Sequence, residues 1–169
     1  MEILFTTERV FVRWLKFDDF EAFNKMQSSA IVMKYVSQKP MTYQQNKEDL
    51  QNLILSYQDL NNDFLIYAVV KKDNSEFIGT VALVKDENNN DEIGYRFLEE
   101  FWGKGYGSEV LKGLIYYCKS IQIKRIVANV AVENMASVKM IQNAGFQFVK
   151  SFISEDLKLP ERKYILELC

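Results

Sequence analysis

The sequence predicts an α+β fold, and three observations carry that prediction. Short runs rich in β-branched and aromatic residues recur with strand period, amphipathic runs of helical period fall between only some of them, and turn residues separate nearly all of them. The resulting order is one strand, two helices, a three-strand meander, then helix, strand, helix and two closing strands. No linker, repeat or low-complexity stretch divides the 169 residues. That length suits one well-cored domain spanning 1–169 and is short for two.

Arg9 to Trp14 reads as the first strand, with Val10 and Val12 on one face and Phe11 on the other. Asp18-Asp19 offers an N-cap to a helix carrying Phe20, Phe23 and Met26. A second helix starts at Thr42, with Gln45 as capping-box partner, and continues through Leu50, Leu53, Ile54 and Tyr57. The meander is Phe64 to Val70, Phe77 to Val84 and Glu92 to Leu98, the last two joined by the polar turn Asp86 to Asp91. A long helix from about Gly107 to Ser120 keeps Val110, Leu111, Leu114, Ile115 and Cys118 on one face. Arg125 to Val132 alternates as a strand, and Met135 to Ala144 forms a helix that stops at Gly145, a left-handed C-cap. Phe146 to Ile153 and Lys163 to Leu168 close the fold around a loop containing Pro160.

Composition narrows function. With 21 basic and 23 acidic residues spread along the chain, the net charge of −2 lacks the basic stripe of a nucleic-acid binder. Cys118 and Cys169 form no metal or redox pair. The absence of histidine leaves acid–base chemistry to carboxylates, Tyr, Lys, Cys, a Ser working through water, or the substrate itself. The N-terminal residues lack a signal-peptide pattern, and no apolar run approaches bilayer length, so the expectation is a cytoplasmic protein without membrane or metal partners.

Three of the seven glycines lie within Trp102-Gly103-Lys104-Gly105-Tyr106-Gly107-Ser108, between a strand and a helix. Glycines there permit a turn that aims successive N–H groups at one point beside the positive end of a helix, and a phosphate or pyrophosphate suits such a nest. Ser108 can add a hydroxyl. A Walker A loop needs a Lys-Ser/Thr pair after its last glycine, and a Rossmann fingerprint needs GxGxxG in an early βαβ unit with an acidic residue about 20 positions on. Neither is present. A plain strand-to-helix turn remains the alternative.

Downstream, a strand runs into Glu133-Asn134-Met135-Ala136-Ser137, and the next helix ends in Asn143-Ala144-Gly145-Phe146. Together with Glu92-Ile93-Gly94-Tyr95, the 102–106 turn, Glu8 to Arg13 and Phe77-Ile78-Gly79-Thr80, these motifs resemble the GNAT superfamily of N-acetyltransferases. Within it the chain is most similar to the ribosomal-protein, RimJ/RimL-type branch. The likeness covers nearly the whole chain, with the motifs in order.

The resemblance implies a mixed, mostly antiparallel central sheet of about six or seven strands flanked by about four helices. It implies acetyl-CoA as co-substrate, with strands 92–98 and 125–132 splaying to admit the pantetheine arm. The amides of Trp102, Gly103, Lys104, Gly105, Tyr106, Gly107 and Ser108 would hold the pyrophosphate. The backbone of Tyr95, Arg96, Phe97 and Leu98 would pair with the pantetheine amides, and Asn134 and Ser137 would border the same arm. Two departures stand out: Trp102 where the wider superfamily has Gln or Arg, and Ile141 where many relatives place a Tyr that protonates the leaving thiolate.

The expected reaction is attack of a neutral amine on the thioester through a tetrahedral intermediate. The oxyanion donor is an N–H on the Gly94-Tyr95 side of the strand. Ser137 protonates the thiolate or merely caps its helix. Glu92 is the nominated base or a solvated strand-end carboxylate. An α-amine of pKa 7.7–8.0 is roughly 10–15% neutral at pH 7, and a lysine-like amine about 0.04%, so the need for a base depends on the acceptor. That acceptor is a protein N-terminal α-amine, including that of a ribosomal protein, or a small-molecule amine. The Asp86–Asp91 turn could attract it, and Trp14, Phe17, Tyr35 and Tyr43 could wall its pocket. A non-catalytic acetyl-CoA sensor or assembly module is the alternative, and the expected state is monomer or homodimer.

Overall fold

The structure is a computed structural model that describes residues 2–168, so Cys169 lies outside the described residues. Its centre is an eight-stranded sheet with strands β1 (Ile3–Thr6), β2 (Val10–Trp14), β3 (Phe64–Lys71), β4 (Phe77–Lys85), β5 (Asp91–Phe97), β6 (Arg125–Ala131), β7 (Gln147–Ile153) and β8 (Pro160–Glu167). They lie in the order β1-β2-β3-β4-β5-β6-β8-β7, and every neighbouring pair is antiparallel except β5–β6. Five helices join them: α1 (Phe20–Gln27), α2 (Ala30–Met33), α3 (Tyr43–Ser56), α4 (Tyr106–Ser120) and α5 (Met135–Asn143). The mixed, mostly antiparallel α+β architecture expected from the sequence is present.

The differences from the sequence reading are local. β1 and α2 were not anticipated. Each has only four residues, too few for a period to show. Pro160 opens β8 instead of sitting in a loop, which suits a residue with no N–H to give the ladder. Asp19 does stand at the start of α1, but its carboxylate does not cap that helix. It accepts the Lys16 N–H at 2.9 Å and two hydrogen bonds from the Arg13 guanidinium at 2.7 and 2.8 Å. Both side chains of that pair are 4% exposed, so a buried, bidentate ion pair pins β2 to the entry of α1. The Thr42–Gln45 capping box forms in both directions, and Gly145 takes φ +93°, the left-handed stop expected of it.

Successive residues of a strand face opposite sides, so β5 sorts the molecule into two layers. Arg96 donates to the Gln27 carboxamide of α1 at 2.7 Å, while its neighbour Tyr95 lies beside Ser137 of α5. On the Tyr95 side α4 and α5 meet closely, since a Cβ on Gly107 would stand 2.9 Å from the Met140 sulfur. Val10, Ile78, Val81, Val110, Leu114, Ile126 and Ile141 are fully buried and form the centre of the core.

Candidate active site

Where β5 and β6 run side by side they share only two pairs, Asp91↔Ile126 and Glu92↔Val127. Beyond Glu92 the strands part in the middle of the sheet. Pairing with β4 uses alternate residues of β5: Leu98 gives its N–H to the Ile78 carbonyl at 2.9 Å, and the antiparallel register then assigns Arg96 to β4 as well. Tyr95 and Phe97 therefore turn their N–H and C=O groups toward the side β6 has left. Of the four residues expected to pair with the pantetheine amides, Arg96 and Leu98 spend their backbone groups on β4, and Tyr95 and Phe97 face away from it. The Phe97 carbonyl accepts the Trp102 indole N–H at 2.9 Å, so the half-exposed Trp102 braces the end of the strand.

The glycine turn sits at the end of β5. Gly103 (φ +69°) and Gly105 (φ +83°) both take the left-handed conformation, and Gly105 is the N-cap of α4. A glycine cap has no side chain to occupy the first N–H groups of the helix, so those donors and the helix dipole face outward together. Gly107 has a different reason: its missing Cβ is what allows Met140 of α5 to approach. Lys104 and Ser108 are exposed at the rim.

Arg9 and Glu109 hold this turn, and neither was singled out from the sequence. The Arg9 guanidinium donates to Glu109 at 2.6 Å and to the Lys104 carbonyl at 3.0 Å, and it lies over the Tyr106 ring, 4.2 Å from its centroid. Glu109 also accepts from the Thr7 hydroxyl at 2.6 Å and from the Arg9 N–H at 2.8 Å. These partners are about a hundred positions apart in the chain, so no local spacing announces them.

Across the parting stands the first turn of α5. Its N-cap is Asn134, whose side chain accepts the Ser137 N–H at 3.3 Å. The capping role considered for Ser137 thus belongs to Asn134, and the Ser137 side chain lies beside the Tyr95 phenol. Burial pushes the phenol of Tyr95 up to about 12, and Ser137 is close enough to hold back part of that rise.

This chain matches the model of the acetyltransferase (GNAT) domain over residues 9–147. The chain belongs to the GNAT acetyltransferase family. A curated relative, the N-acetyltransferase p20 of Bacillus licheniformis, is 34% identical over 152 residues, covering 87% of this chain and 83% of that protein. The fold is also that of RimL, a ribosomal-protein alpha-N-acetyltransferase solved in complex with coenzyme A (TM-score 0.83, 19% identity, 99% of this chain and 98% of that one). An acetyl transferase from Salmonella typhimurium that modifies the N-terminal serine of a 50S ribosomal subunit protein has the same fold (TM-score 0.82, 19% identity, 98% and 99%). This GNAT protein is an acetyl-CoA-dependent acetyltransferase.

On the opposite face of the enzyme's sheet, register brings Glu92 of β5, Asn129 of β6, and Glu161 and Lys163 of β8 to one side. Burial raises the Glu92 carboxyl above the usual range; Asn129 opposes that rise, and Asp86 and Asp156 add to it. Glu161, unforeseen in the sequence, is raised by burial and then by Asp156 and Glu92. Glu92 thus lies among coupled carboxylates, not at a solvated strand end. The Asp86–Asp91 turn is largely consumed internally. Burial would raise Asp86, but Asn90, Lys163 and the Asn88 N–H together bring it down to about 2, and Asp91 pairs with Lys85 at 2.9 Å. Above this face the segment after α2 reaches the β7–β8 loop, where Gln38 donates to the Leu157 carbonyl, and Lys34 pairs with Glu133 at 3.7 Å. Of the expected aromatic wall, Trp14 packs on Tyr57 (4.6 Å between centroids) and Tyr43 meets Phe20 edge-on, while Phe17 is exposed.

Proposed function

We propose that the protein transfers acetyl from acetyl-CoA directly to a primary amine, either a protein N-terminal α-amine or a small-molecule amine. The observation that carries this reading is the interior parting of β5 and β6, which leaves the Tyr95 backbone and the Phe97 N–H without a strand partner at the middle of a sheet, the Phe97 carbonyl being taken by the Trp102 indole. The pantetheine amides extend β5 there as an added strand, and the first N–H groups of α4, with the 102–108 turn, take the pyrophosphate. Asn134 and Ser137 border the arm from α5.

The amine approaches from the Glu92 side and attacks the carbonyl carbon. The Tyr95 N–H stabilises the oxyanion, a reading its direction toward the parting supports, and Ser137 supplies a proton to sulfur. Glu92, with its raised carboxyl, takes the proton the amine must lose. A ribosomal-protein terminus as acceptor is supported by the relationship to enzymes of the RimL fold. The fully buried Ile141, which places no hydroxyl on α5, favours the second reading, an acetyl-CoA sensor without turnover.

Thiol release from acetyl-CoA, followed with short peptides bearing a free or blocked N-terminus and with di- and polyamines, decides between these. Amine-dependent release with an acetylated product by mass spectrometry supports the transferase. Binding of acetyl-CoA without release for any amine class supports the sensor.

A further inference from the structure

We infer that Tyr95 works through its side chain as well as its backbone: its phenol, buried and unpartnered beside Ser137, sets the serine hydroxyl toward the departing sulfur of coenzyme A. The inference rests on the transferase reading above and adds a positioning residue to it.

The Tyr95 hydroxyl oxygen is buried and has no partner within hydrogen-bonding distance among the described residues. A hydroxyl in that condition is unfavourable, and removing it is neutral or stabilising unless it serves something beyond folding. Its place is specific. β5 directs the ring to the α5 face at the residue whose backbone faces the parting, and Phe97, 6.4 Å away between centroids, flanks it. Ser137 is the one polar side chain that acts on it electrostatically. The serine's N–H is fixed by Asn134, whereas its hydroxyl has the Tyr95 phenol beside it. A donor beside it decides which way that hydroxyl points. Because burial holds the phenol near 12, it stays protonated across the working range and keeps a proton to donate.

In the step concerned, the C–N bond forms and the C–S bond breaks with its electron pair on sulfur. Ser137 passes its proton to sulfur and recovers one from water, while nitrogen sheds its proton to Glu92, which returns it to solvent. Tyr95 keeps its own proton and donates its hydrogen bond to the serine oxygen.

The test uses the full chain and four variants, Tyr95→Phe, Ser137→Ala, the double variant, and Tyr164→Phe. Tyr164 carries the other buried, unpartnered phenol, on β8 beyond β6, and serves as the control. Tyr95→Phe should lower kcat at least about tenfold, with acetyl-CoA affinity within about twofold and Tm unchanged or raised. The loss should vanish in the Ser137→Ala background, and it should shrink when the donor is an aryl thioacetate whose thiol leaves without help. Tyr164→Phe should keep full turnover. Undiminished turnover in Tyr95→Phe, or an equal loss with and without Ser137, overturns the inference while leaving the transferase intact. A wild-type protein that releases no thiol with any amine fells both.

Discussion

Replacing Gly105 by alanine probes the turn proposed to hold the coenzyme's pyrophosphate. Gly105 sits at φ +83°, where an L-residue costs about 1–2 kcal/mol. Its new Cβ would stand 3.3 Å from the Arg9 guanidinium, a group already bonded to Glu109 and the Lys104 carbonyl and so unable to give way freely. If the turn holds its shape, the strain appears as stability, and Tm falls by about 2–8 °C for a chain of this length. If the turn relaxes, its N–H groups rotate off their common point, and acetyl-CoA affinity falls about 5–30-fold for the same energy. Thermal unfolding and calorimetric titration on one preparation separate the two. Gly103→Ala is the comparison, since Gly103 has a similar φ of +69° but nothing within 4 Å of its Cβ position. It should lose the backbone share alone. A Gly105→Ala protein with unchanged Tm and unchanged affinity would refute the assignment of this turn as a conformationally strained phosphate nest.

Other perturbations follow from the same geometry. The proposed base Glu92 must be deprotonated to act and its carboxyl is raised, so turnover should climb with pH through a value above that of an ordinary glutamate; Glu92→Gln should flatten that limb, and an unaltered pH–rate profile removes it as base. Asp86 is held down at about 2 in the folded state, so the stability it contributes is complete above the unfolded value of 3.8 and is lost as pH falls through about 2. Asp86→Asn should therefore cost about 2 kcal/mol in urea denaturation at pH 7 and much less near pH 2, and an equal cost at both refutes the linkage. Gly79→Ala would push a Cβ to 2.2 Å from the Arg96 carbonyl, and because backbone cannot step aside it should destabilise by at least about 1–3 kcal/mol; wild-type Tm would show that the β4–β5 contact is looser than described. Arg9→Ala should loosen the glycine turn and weaken acetyl-CoA binding several-fold without touching the coenzyme, and full affinity would deny Arg9 its bracing role.

Much of this was legible in the sequence because the deciding constraints are local. β3 and β4 are largely apolar runs of eight and nine residues rich in β-branched and aromatic side chains, the β6 run alternates, and the Thr42–Gln45 box lies within four positions. Gly103 and Gly105 could be read as a nest because positive φ is a demand only glycine meets cheaply. Gly107 misled in its reason, since what excludes its side chain is Met140 on another helix. The same holds for Arg9 and Glu109, and for Asp19, whose partner Arg13 becomes visible only once β2 and α1 are packed. Glu161 hid behind Pro160, which reads as a loop in sequence yet opens a strand that lines up with β6. Strand alternation on Tyr95 and Arg96 was readable, but which face each occupied required the helices to be in place.

The most direct test of the central claim is calorimetric titration of the wild-type protein with acetyl-CoA, with ATP as the control that has phosphates but no pantetheine arm. One site of micromolar affinity for acetyl-CoA that ATP does not match is expected, because the parted strands must pair with the arm as well as the turn with the phosphates. Equal affinity for both would leave the parting without a role, and no binding to folded protein would contradict the site altogether.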